Sequence, residues 1–199
     1  VNSFDHYFEI FKIISRVKND INKRMLVLCT SYKQIKTLKE IYIKQMDTLD
    51  KDILFQDTNS SRQILLNKYI RNKGSILIGT NTFWEGIDLP NDMLEMILIV
   101  KLPFSNPFNP IVEAKIDFYR GLGMNPFLDF QLPEAILKLR QGIGRLIRNQ
   151  DDMGVCVLLD PRILKKKYGE LILDSLNLTP NKFSNENMLI DESKKFLGC

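Results

Sequence analysis

Apolar and polar residues alternate along this chain in two periods. The first segment repeats every three or four residues, with Phe4, Phe8, Phe11, Ile14 and Val17 on one stripe, and predicts an amphipathic helix. Five short apolar runs follow: RMLVLCT (24–30), DILFQ (52–56), SILIGT (75–80), EMILIVKL (95–102) and GVCVLLD (154–160). Their Ile, Leu and Val content without alternation predicts strands buried on both faces of a parallel sheet.

Between the runs, residues 32–46, 60–72, 109–122 and 132–148 return to helical spacing. Thr30, Ser31 and Ser60 are candidate helix caps. Residues 161–176 predict one more helix, with Pro161 suited to its first turn. Such alternation implies an α/β fold with helices on both faces of a predominantly parallel sheet. We expect one domain over residues 1–178 and a polar, peripheral tail over 179–199. Within that tail, MLIDESKK (188–195) has the look of an Asp-Glu metal box, but is read as a helix beginning at Asp191.

The 199 residues carry a net charge of +4, a mild bias that is compatible with nucleic acid or phosphate ligands. The three cysteines, Cys29, Cys156 and Cys199, have no disulfide or metal-ligand spacing, so no metal site is expected. His6, the single histidine, is read as packed or solvated. With no signal peptide or 18-residue apolar run, a cytoplasmic protein without membrane contact is expected. The start at Val1 suggests a fragment or a processed chain.

Ligands of doubly wound sheets gather beyond the carboxyl ends of the strands, which directs attention to four polar segments. CTSY follows the first strand. GTNTFWEGIDLPN follows the third and joins the donors Thr80, Asn81 and Thr82 to Phe83 and Trp84, a combination suited to a single-strand backbone with a stacked base. A strand-to-helix turn with a core tryptophan is the other reading. KLPFSNPFNP follows the fourth, where Pro103, Pro107 and Pro110 stiffen either a groove wall or a linker.

RQGIGRLIRN precedes the fifth strand. On a helix it would stack Gln141, Arg145 and Arg148 on one face, and two guanidinium groups one turn apart suit neutralisation of phosphoryl charge. A solvated face with salt bridges is the alternative. Gly142 and Gly144 interrupt this helix at about 1 kcal/mol each, and would let it lie close to another backbone or a nucleotide. No G-x-x-x-x-G-K-[ST] loop is present to cradle a nucleotide phosphate.

In this order, CTSY, SILIGTNTFWEGIDLP and RQGIGRLIRN resemble motifs IV, V and VI of the second RecA-like motor domain of superfamily 2 helicases, in the DinG and XPD-like group. The resemblance implies a three-layer RecA-like α/β/α fold. It implies that Arg145 and Arg148 act as arginine fingers toward ATP, with Gln141, Gly86 and Asp88 near the nucleotide. It implies that Ser31, Thr80 and Asn81 hold a single-stranded DNA backbone; Trp84 is a DNA-binding candidate from the residue types of its own loop. Asn91 stands where the family has glycine after Leu-Pro. ATP and Mg2+ would be bound mainly by an N-terminal motor domain of the same full-length chain, so this half alone would be inactive. A nucleic-acid-binding or regulatory module of a DinG-type 3′-5′ exonuclease that has lost helicase activity is the competing expectation.

Overall fold

The computed structural model describes residues 4–46, 50–58, 61–80, 93–147 and 152–199. All five apolar runs form strands: β1 (Met25–Cys29), β2 (Ile53–Phe55), β3 (Ile76–Thr80), β4 (Met96–Ile99) and β5 (Val155–Leu158). They make one sheet in the order β2-β3-β1-β4-β5. Every pairing is parallel, with Cys29 opposite Thr80 and Met96 opposite Val155. The carboxyl ends of the strands therefore share one edge, and the amino ends the other.

Strand residues alternate between two cores, because successive side chains leave a strand on opposite faces. Met25, Val27 and Cys29 enter one core with Ile76, Ile78 and Leu98. Leu26 and Leu28 enter the other with Leu77, Ile97 and Ile99. The first core is covered by α1 (Phe4–Arg16), α2 (Tyr32–Gln45) and α8 (Glu186–Leu197). The second is covered by α3 (Arg62–Arg71), α5 (Leu132–Ile143) and α7 (Lys167–Ser175), with Ile163 from the one-turn α6 (Arg162–Lys165). This is the three-layer RecA-like α/β/α arrangement.

Four segments depart from the sequence expectations. α5 stops at Ile143 instead of running to residue 148. Residues Val17–Ile21 and Phe127–Gln131 are π-helical turns that extend α1 and lead into α5. The tail expected to be peripheral supplies α8, which starts at Glu186 under an Asn185 cap accepting from Met188 N–H, not at Asp191. Leu189 and Ile190 are buried in the first core, and Arg16 Nη1 donates to Asn187 Oδ1 at 2.5 Å. The polar composition of this tail concealed a short apolar pair large enough to seat a helix.

α4 (Pro110–Gly121) has no buried residue. It stands off the body on the π-helical turn, where Tyr119 stacks on Phe130 at 5.5 Å and the Lys115 ammonium lies 5.3 Å from the Phe130 centroid.

Candidate functional site

At the carboxyl edge, β1 passes directly into α2. Ser31 is the N-cap, with extended backbone, and its Oγ accepts from Gln34 N–H at 3.4 Å. The cap satisfies one of the amides that a helix start leaves without an internal partner. The Gln34 side chain turns back, its Oε1 accepting from Thr30 N–H at 2.7 Å and from Thr30 Oγ1 at 3.2 Å. Both termini of the β1–α2 turn are thus fixed.

Thr80 ends β3 beside this turn and is buried. Its N–H and Oγ1 both donate to Gln56 Oε1, at 2.7 and 3.0 Å, and Gln56 Nε2 donates to Tyr32 OH at 2.9 Å. Gln56 therefore ties the ends of β2 and β3 to the start of α2. Sequence reasoning named Thr80 but missed Gln56 and Gln34. Their one visible signal was a polar residue directly after an apolar run or at the start of a helix.

The β4–α4 connection begins at the same edge. Leu102 N–H donates to Asp160 Oδ2 at 2.9 Å, and Asp160 is 1% exposed. Arg162 closes over Asp160, with Nε 3.0 Å from both carboxylate oxygens. Burial pushes the Asp160 pKa up, but the bonds from Arg162 and Leu102 outweigh it, so the carboxyl sits below its ordinary value. The Arg162 guanidinium also lies 5.3 Å from the Phe104 ring centroid. This buried pair was not singled out in the sequence; the polar Asp-Pro-Arg directly after an apolar strand was its signal. His6 is half-buried near Val100, Lys101 and Asp160, and burial chiefly lowers its pKa.

Glu134, in the first turn of α5, accepts from Ser105 Oγ at 2.6 Å, and Lys138 Nζ donates to the same hydroxyl at 2.9 Å. α5 thus starts at the carboxyl edge. Its other end reaches the amino edge. Leu146 is buried there, and a Cβ built on Gly154, the residue before β5, would lie 2.4 Å from Leu146 Cδ1.

The expectation that Gln141 and Arg145 share a helical stripe at the carboxyl mouth of the sheet is corrected on both counts. Gln141 lies in the last turn of α5 and is exposed, whereas Arg145 lies beyond its C-cap, Gly144, and is half-buried. Arg145 N–H donates to Gly142 O at 3.1 Å and Leu146 N–H to Ile143 O at 2.9 Å. These three-residue bonds tighten the turn and rotate Arg145 relative to a continued α-helix. The weak helix propensity of the two glycines is the physical reason. The structure separates the named residues into two groups, Ser31 with Thr80 at one edge and Gln141 with Arg145 at the other.

Asn81, Trp84, Gly86, Asp88 and Arg148 lie outside the described residues. Among the described residues, no three His, Cys, Asp or Glu side chains gather as a metal site, and no helix is long and apolar enough to cross a membrane.

A family model described as the helicase C-terminal domain matches residues 14–179. The chain is 42% identical over 153 residues to the ATP-dependent DNA helicase YoaA of Haemophilus influenzae, covering 77% of this chain and 23% of that protein. It is 39% identical over 169 residues to the 3′-5′ exonuclease DinG of Bacillus subtilis, covering 84% and 18%. Among solved structures, an XPD helicase superposes with a TM-score of 0.64 at 20% identity, over 92% of this chain and 33% of that one. The chain thus spans about a fifth of the length of these curated relatives. A five-stranded parallel RecA-like sheet, with motif-bearing turns at its two edges and a family match over most of its length, makes this chain a member of the helicase C-terminal domain family, as the second motor domain of the DinG type.

Proposed function

We propose that this chain is the C-terminal motor half of an ATP-dependent DNA helicase, and that its two edges divide the work. The carboxyl edge, with Ser31 and Thr80, holds single-stranded DNA through its backbone, which positions a strand without reading its sequence; Asn81 and Trp84 are assigned to the same DNA strand from the sequence alone. The amino edge presents Gln141 and Arg145 to ATP bound on an N-terminal motor domain of the same polypeptide, and the motif resemblance assigns Arg148, Gly86 and Asp88 to the same nucleotide.

The observation that carries this reading is the course of α5. It begins where Glu134 meets Ser105 and ends where Leu146 meets Gly154, so one helix links the two edges. Arginine donors supplied across a domain boundary stabilise the charge that develops during phosphoryl transfer, with an effect of about 10³ to 10⁵ on rate. ATP and Mg2+ would be held mainly by the first motor domain, since this chain has no G-x-x-x-x-G-K-[ST] loop. The isolated chain would then be inactive, with weak and salt-sensitive DNA binding.

The test is Arg145→Ala in the full-length protein. ATP turnover should fall by about three orders of magnitude or more while DNA affinity persists. Unchanged turnover would remove Arg145 from the finger role. A second reading is favoured by one observation, the 39% identity to a protein named as a 3′-5′ exonuclease. In that reading the chain is a nucleic-acid-binding or regulatory module of an exonuclease without helicase activity. DNA-stimulated ATP turnover by the full-length protein separates the two.

A further inference from the structure

Phe108 has the highest exposure of the large apolar side chains among the described residues, 87%. Single exposed apolar residues are ordinary. What distinguishes this one is the rigidity of its support. Pro103, Pro107 and Pro110 fix the backbone around it. Phe108 N–H donates to Asn106 Oδ1 at 3.1 Å, Asn109 N–H donates to Asn106 O at 3.0 Å, and the Asn109 side chain caps α4 through Ile111 N–H at 3.0 Å. The other aromatic of the loop, Phe104, is its anchor, packed 5.5 Å from both Phe127 and Tyr168. One ring holds the loop down while the other is held out.

The position of the loop follows from the strand order. β3, β1 and β4 are consecutive neighbours, so the ends carrying Thr80, Ser31 and the Phe108 loop lie side by side on one edge. At about 4.8 Å between strands, the three strand ends span about 10 Å, and Phe108 follows nine residues beyond the end of β4. Lys101 lies in the same connection and supplies a positive group, whereas Lys138 is paired with Glu134 at 3.5 Å.

We propose that Phe108 is a base-stacking platform for single-stranded DNA, a subsite that extends the Ser31–Thr80 interface across the end of β4. The proposal rests on the assignment of the carboxyl edge to DNA. Stacking on an exposed ring asks only for a flat base, so the subsite tolerates any sequence.

Equilibrium binding of the full-length protein to a labelled single-stranded oligonucleotide tests it, using Phe108→Ala, Phe108→Trp and Ser31→Glu, and oligonucleotides with one abasic position moved along the strand. Phe108→Ala should weaken binding about five-fold or more, and Phe108→Trp should restore it. One abasic position should weaken the unsubstituted protein and leave Phe108→Ala unaffected, the coupling expected of groups in contact. If Ser31→Glu weakens binding while Phe108→Ala does not, the platform is overturned and the interface stands. If neither does, both are overturned, and the ring is left to contact another protein surface.

Discussion

Leu146 packs so closely on Gly154 that a methyl group there would stand 2.4 Å from its Cδ1. This contact pins the turn bearing Arg145 to the residue that precedes the last strand. Leu146→Ala should cost about 2 to 4 kcal/mol in urea denaturation. In the full-length protein it should also lower ATP turnover, although Arg145 is untouched. Normal turnover at a reduced midpoint would show that the contact stabilises the fold without positioning the turn.

Asp160 makes a different kind of link, from β5 to the start of the β4–α4 connection. Its pKa is lower folded than its unfolded value of about 3.9, so it favours folding above that pH, and the contribution is lost as pH falls through the folded value. Asp160→Asn should cost about 2 to 3 kcal/mol at pH 7 and flatten the acid limb of the stability curve below about pH 4. Parallel acid limbs for the two proteins would contradict this assignment.

Gly169 sits against the backbone of Ile163, where an added Cβ would come within 2.0 Å of the carbonyl oxygen. Backbone cannot swing aside as a side chain can. Gly169→Ala should therefore destabilise by about 1 to 3 kcal/mol, seen as a drop in Tm, despite the gain in helix propensity. A rise in Tm would mean that α6 and α7 separate at little cost.

Burial pushes the Cys29 thiol up to about 12, whereas Cys199 is exposed. Since the thiolate is the reactive form, a thiol reagent at pH 8 should modify Cys199 in the native protein and reach Cys29 only on unfolding. Peptide mapping by mass spectrometry reads both sites.

The strands were legible because burial on both faces leaves an unbroken apolar run, and all five runs fall where strands occur. The end of α5 was less so. Gly142 and Gly144 were visible as weak helix positions, but not whether tertiary contacts would carry the helix through them. The Gln56 bridge to Thr80 joins residues 24 apart and has no local signature, so Thr80 was named as a donor without its partner. Asn185 and the buried Ile190 were hidden by a polar surrounding that reads as a tail. The motif resemblance located the candidate residues, while only the strand order and the course of α5 show Ser31 and Thr80 at one edge and Gln141 and Arg145 at the other.

With 12 residues, α5 is a rod about 18 Å long, fastened at its top by Glu134 and just beyond its foot by Leu146. A helix of this length resists compression and bending far more than the loops around it. A push at its top reaches Ile143 with little absorbed on the way, so the domain transmits displacement as a lever does, and the turn at Gly144 is the joint between the rod and Leu146.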